Sequence, residues 1–86
     1  MNKNKDNLSE DIVKFIIERM KNNAQLAFND AVNDKDNIFE QGRKFAYYEM
    51  LDTIKNTLIG YNQDLSDYGL SDNLENKYLG YSLRGA

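Results

Sequence analysis

The segment from Asn37 to Gly60, NIFEQGRKFAYYEMLDTIKNTLIG, carries the clearest secondary-structure signal in the chain. Asn37 and Glu40 have the spacing of a capping box, in which the first side chain accepts a hydrogen bond from the N–H of the third residue on, and the glutamate reaches back to the N–H of the cap. Gly60 is typical of the left-handed residue that ends a helix. The segment is therefore predicted to form one long helix.

The apolar residues of this helix fall on two sides when successive residues are placed about 100° apart. One side contains Phe39, Ala46, Tyr47, Met50, Leu51, Ile54 and Leu58, and the other contains Ile38, Phe45, Tyr48 and Ile59. Such a helix is typical of a middle layer, with another element on each face. The preceding helix is expected on one face, and the C-terminal segment or another subunit on the other.

The preceding segment predicts a second long helix, from Asn7 to about Val32, because Asn7 and Glu10 repeat the capping-box spacing. Its apolar residues form one wide arc: Ile12, Val13, Ile16, Ile17, Met20, Ala24, Ala27, Phe28 and Ala31. The polar connection from Asn33 to Asn37 is short enough for the two helices to fold back antiparallel.

The C-terminal third is less regular. A helical turn over Asn62 to Tyr68 is expected to end at Gly69, and Ser71 or Asp72 is expected to cap a short helix that ends before Gly80. The predicted fold is all-α: a long antiparallel helical hairpin plus a short C-terminal helical segment, assembled as an oligomeric bundle.

The composition limits what this chain can do. With 86 residues, residues 1–86 are expected to form a single helical domain, with a frayed N-terminus over 1–7 and a tail over 82–86. The absence of Cys and His removes thiolate and imidazole chemistry. The longest apolar runs are too short for a membrane span, and no signal-peptide pattern is seen, so a cytoplasmic protein without membrane contact is predicted.

The charge pattern argues against nucleic acid as a partner. Eleven Lys and Arg against fourteen Asp and Glu give a net charge of −3, and the longest basic cluster is Arg43-Lys44. No activated nucleophile, phosphate cradle or buried carboxylate pair is evident. The chain is therefore predicted not to be an enzyme and to have no cofactor, no metal and no direct nucleic-acid contact.

Several residues are candidates for contacts with a partner protein, including a second copy of the chain. Phe15 and Leu26 fall off the main arc of the first helix on nearly the same line, either as ordinary exposed apolar residues or as a seam that faces a partner. Gly42 is unfavourable inside a helix, so close approach of another backbone is the simplest expectation. The aromatic candidates on the second helix are Phe45, Tyr47 and Tyr48.

Arg43 lies within an apolar arc and has two interpretations. In the first it is structural: its stem covers the core, its guanidinium stacks on Tyr47, and it pairs with Glu40, Asp30 or Asp34. In the second it donates to a carboxylate of a partner, aided by the hydroxyl groups of Tyr47 and Tyr48.

The segment from Asp64 to Glu75 partly fits a calcium-binding loop. Asp64, Ser66, Gly69, Asp72 and Glu75 have the right spacing, but Tyr68 and Ser71 replace expected residues and Gly60 breaks the entering helix too early. The alternative is that Gly69 ends one helical turn and Asp72 lies beside the cap of the next.

The run from Phe39 to Asn56 resembles a pattern found in small uncharacterised helical proteins of low-GC Gram-positive bacteria, their phages and mobile elements. The resemblance lies in Gly42-Arg43, Ala46-Tyr47-Tyr48, Leu51 and Ile54, and loosely in Tyr68-Gly69-Leu70. It implies an accessory or inhibitory role and assigns no functional residue.

The leading hypothesis is a small acidic protein–protein interaction module, possessing a self-associating surface on its second helix and an unknown protein partner. A carboxylate-based cation-binding domain around residues 64–75 and an acidic decoy of a nucleic-acid-binding surface are the alternatives.

Overall fold

The computed structural model describes residues 9–80. Within this range the chain forms helix α1 (Glu10–Asn33), helix α2 (Ile38–Gly60), a 3-10 helix (Leu65–Tyr68) and helix α3 (Leu74–Leu79). The all-α hairpin with a short C-terminal helical segment is confirmed. The predicted frayed N-terminus, the predicted tail and the proposed cap Asn7 lie outside the described residues.

Helix α1 is capped two residues later than predicted. The cap is Ser9, whose side chain accepts a hydrogen bond from the N–H of Ile12 at 3.1 Å, and Glu10 and Asp11 place negative charge at the positive end of the helix. Glu10 is the first residue of the helix and pairs with Lys14 one turn further on.

Helix α2 begins at the predicted residue. The Asn37 side chain accepts from the N–H of Glu40 at 3.1 Å, as expected. The Glu40 carboxylate, however, binds Arg43, and the N–H of Asn37 donates to the carbonyl oxygen of Asp34. Only half of the predicted capping box forms, because a nearby guanidinium is the stronger partner for the carboxylate.

The end of α2 differs from the prediction. Gly60 stays helical, and the left-handed residue is Asn62, with φ of 60°. The N–H of Gln63 donates to Leu58 and the N–H of Asn62 to Ile59, which is the hydrogen-bond pattern of a Schellman motif. The chain therefore turns two residues after the glycine.

The C-terminal segment turns twice at glycine. The 3-10 helix ends at Gly69 and α3 ends at Gly80, both left-handed, in agreement with the prediction. Asn73 caps α3 by accepting from the N–H of Asn76 at 2.8 Å, so the expected cap at Ser71 or Asp72 is wrong by one or two residues.

The core lies where α3 crosses the hairpin. Its buried members come from both long helices and the C-terminal segment: Ile17, Ala24, Leu51, Leu70, Leu74 and Tyr78. The alanines of α1 allow close approach of α2, since Ala24, Ala27 and Ala31 are almost fully buried. The Cα trace measures 54 × 26 × 14 Å, so the molecule is a slab in which a six-residue helix partly covers one side of a long hairpin.

Candidate interaction surface

Contacts with the C-terminal segment identify the covered side of the hairpin. A Cβ atom built on Gly69 would lie 2.8 Å from Lys21 Nζ, and one on Gly80 would lie 3.2 Å from the ring of Phe28. On α2, Lys55 Nζ donates to the carbonyl oxygen of Asp72 at 2.7 Å. These residues of α1 and α2 therefore share the side on which the C-terminal segment packs.

Within residues 9–80, no other element covers the opposite side of the hairpin, which carries exposed apolar residues together with polar ones such as Arg19 and Thr53. At about 100° per residue, it lies roughly half a turn from Lys21 on α1 and from Lys55 on α2. Its five exposed apolar residues, which we call the open face, are Ile12, Ile16, Phe39, Ala46 and Met50. All five belong to the arcs that the sequence assigned to the interior. A single neighbouring helix cannot cover an arc of that width, so one edge of each arc remains in solvent.

The Asp30–Arg43 ion pair spans the open face near the connected ends of α1 and α2. Arg43 Nη1 donates to Asp30 Oδ2 and to Glu40 Oε1, both at 2.9 Å. The hydrogen bonds to Asp30 and then to Glu40 raise the pKa of Arg43 above its ordinary value. The predicted structural pairing is confirmed for Asp30 and Glu40. Asp34 instead accepts from Asn37 Nδ2.

The expected stacking of Arg43 on Tyr47 is not formed among residues 9–80. The cation–π contacts described there are Lys14 over Tyr68 and Lys77 over Tyr78. Nη2 and Nε of Arg43 make no hydrogen bond within the same range. These donors are available to a group outside the chain.

The predicted interface residues do not form one surface. Phe15 and Leu26 are 62% and 56% exposed and lie beside the open face on α1. Gly42 is exposed on α2, next to the open face. Phe45 lies on α2 about a quarter of a turn away from the open face, and its ring centroid is 6.0 Å from that of Tyr48. Tyr47 and Tyr48 are partly buried against the core, and burial raises the pKa of Tyr48.

Within residues 9–80 of a single chain, no other backbone approaches Gly42 closely. A Cβ atom built there meets nothing within 4 Å, so neither the core nor a neighbouring helix requires the glycine.

The residues of the calcium-loop pattern serve local structure. Asp64 caps the 3-10 helix by accepting from the N–H and hydroxyl of Ser66, and these bonds lower the pKa of Asp64. Asp72 accepts from Lys77 Nζ at 3.1 Å, which lowers the pKa of Asp72. In the described part of the chain, no three Asp or Glu side chains gather where a metal ion could bind. This geometry gives the cation-site alternative no support.

Two open grooves flank α3. One, of about 370 Å³, lies between the C-terminal end of α1 and Leu79. The other, of about 230 Å³, lies beside Tyr48 and contains Asp52, Lys55 and Glu75. In the second groove, Lys55 Nζ donates to the carbonyl oxygen of Asp72 and Asp52 accepts from Asn56 Nδ2.

No family model, curated protein or solved structure matches the chain. The resemblance to small proteins of Gram-positive bacteria and mobile elements stays a prediction. Within residues 9–80, no helix has the length and hydropathy needed to cross a bilayer.

Proposed function

We propose that this chain is a protein–protein interaction module and that the open face is its binding surface. The carrying observation is that large apolar side chains of both long helices, including Phe39 at 72% exposure, lie on the side that α3 does not cover. Several large apolar side chains exposed on one side of a small domain are typical of a binding surface.

Charge also favours a protein partner. The side of the hairpin that carries the open face has charges of both signs, since Asp30 pairs with Arg43 and Arg19 is exposed there. Such a surface lacks the concentrated positive charge that phosphate backbones require.

Two phenylalanines of α2 provide a matched test. Phe39 and Phe45 are both exposed, but only Phe39 lies on the open face. Each is replaced by a photoreactive phenylalanine analogue, and the chain is irradiated in the cells that encode it. The analogue at position 39 is expected to yield discrete protein adducts, identified by mass spectrometry, whereas the analogue at position 45 yields few. No adduct from position 39, or equal adducts from both positions, would reject the proposal.

A further inference from the structure

We infer that the occupant of the open face is a second copy of this chain, related by a two-fold axis parallel to α1 and α2. This inference rests on the proposed function and names the partner. In the resulting dimer, the two hairpins form a four-helix bundle in which α1 of one copy packs against α2 of the other, with α3 of each copy on the outside.

The size of the open face fits this partner. Helix α1 has 24 residues and α2 has 23. At 1.5 Å per residue each helix is about 36 Å long, and two adjacent helices with axes about 10 Å apart are together about 20 Å wide, so the exposed side of the hairpin covers about 700 Å². A standard protein interface buries about 800 Å² per partner. A second hairpin of the same length covers the whole face, whereas a single helix leaves about half of it in water.

The positions of Asp30 and Arg43 favour a two-fold axis that is parallel to the helices. With the axis parallel to the helices, residues of the two copies meet at equal heights along the bundle. Asp30 of one copy then faces Arg43 of the other, and two copies of the observed 2.9 Å pair form a ring of alternating charge. The Nη2 and Nε donors of Arg43 supply the additional hydrogen bonds.

A two-fold axis that lies between the two hairpins but runs across the helices gives less favourable contacts. The Asp30–Arg43 pair would then lie against Ile12 and Ile16 at the other end of the hairpin. Charged groups would lose water without gaining new partners, which is unfavourable. The parallel axis also places Ile12 and Ile16 opposite the C-terminal half of α2 in the other copy, where Met50 and the half-buried Ile54 lie.

Sedimentation equilibrium tests the inference with matched variants. Met50 and Phe45 are similarly exposed, at 41% and 47%, but only Met50 lies on the open face. The wild-type chain is expected to be dimeric at about 100 μM, a concentration at which a standard interface is populated. Met50→Glu is expected to raise the dissociation constant by at least about tenfold, whereas Phe45→Glu changes it less than about twofold.

A mixing experiment tests the axis. Asp30→Arg alone places four arginines in the ring, and Arg43→Asp alone places four aspartates there, so each variant is expected to be monomeric. An equimolar mixture restores attraction between copies and is expected to form a heterodimer. Circular dichroism of each variant establishes that the monomer is folded. Failure of the mixture to associate, while the wild type dimerises, would overturn the parallel axis.

A wild-type chain that stays monomeric at the highest soluble concentration would overturn the second-copy inference. The proposed function would then depend on the photoreactive analogue at position 39. An adduct with a different protein keeps the function and removes the self-association, whereas an adduct of twice the chain mass supports both.

Discussion

Gly60 and Asn62 decide where α2 ends, and they do so in the opposite way from what their residue types suggest. Gly60 is helical, whereas Asn62 has a positive φ. Asparagine tolerates the left-handed region better than most residues but less well than glycine. Gly60 therefore destabilises the last helical turn, and the positive φ of Asn62 adds an unfavourable conformational free energy at the cap.

Gly60→Ala and Asn62→Gly are each expected to raise the stability of the chain. Alanine in a helical position gains about 0.5–1 kcal/mol over glycine, and glycine at Asn62 relieves a cost of up to about 1 kcal/mol. Urea unfolding of the two variants provides the measurement. If Gly60 were the left-handed residue, Gly60→Ala would lower stability.

Gly42→Ala is also expected to stabilise the folded monomer, by about 0.5–1 kcal/mol, because a Cβ atom there meets nothing within 4 Å. Gly69→Ala is the control of opposite sign, since Gly69 has φ of +69° and a Cβ atom would approach Lys21 Nζ to 2.8 Å. The two variants are compared by thermal melts at a concentration low enough to exclude association. A loss of stability in Gly42→Ala would instead support the hypothesis that another backbone approaches Gly42 closely.

Among the elements, the C-terminal segment is joined to the hairpin by a lysine hydrogen bond as well as by the buried face of α3. Lys55 Nζ of α2 donates to the Asp72 carbonyl oxygen, and Lys77 Nζ binds the Asp72 carboxylate within the segment. The hydrogen bond from Lys77 lowers the pKa of Asp72 below its ordinary value of 3.8. A carboxylate with a lowered pKa stabilises the fold above its unfolded-state pKa, and this contribution disappears as the pH falls through the folded-state pKa.

Asp72→Asn is therefore expected to lower the melting temperature at neutral pH and to have no effect well below pH 3.8, where the wild-type side chain is protonated. The substitution keeps the backbone carbonyl that binds Lys55. Asp36→Asn, in the exposed connection between α1 and α2, is the control. It is expected to leave the melting temperature unchanged both at neutral pH and at low pH. A constant difference between Asp72→Asn and the wild type at every pH would show that the pair with Lys77 does not contribute.

Element type and order could be predicted because apolar periodicity and cap residues act locally. The Asn37 cap, the hairpin connection and the glycine stops at Gly69 and Gly80 all depend on neighbouring residues. Helix ends were less predictable: several residues compete for each cap, and Ser9 and Asn73 form the caps observed. The choice depends on contacts that spacing alone does not contain.

The binding surface could not be located in the same way. Spacing placed Ile12, Ile16, Phe39 and Met50 on apolar arcs, but it did not show which edge of each arc the short α3 would cover. The width of the arcs was the available signal, because each is wider than one neighbouring helix can bury. The predicted set instead drew on residues that stood out individually, and the fold distributes them over several sides of the hairpin.

At the scale of the whole molecule, the chain is an incomplete bundle. The C-terminal segment supplies Leu70, Leu74 and Tyr78 to the core on one side of the hairpin. The described residues provide no equivalent layer on the other side. Completing that layer with another protein buries apolar groups that are otherwise in water, which is the dominant favourable contribution to association.

Hydroxyl-radical footprinting shows whether another protein covers the open face, because it reports the exposure of individual side chains in the intact chain. Labelling in the cells that encode the chain is compared with labelling of the dilute purified protein. We expect Met50 and Phe39 to react readily in the dilute protein and to lose most of that reactivity in cells, while Phe45 reacts equally in both. Protection of Phe45 with unchanged reactivity at Met50 and Phe39 would contradict this expectation.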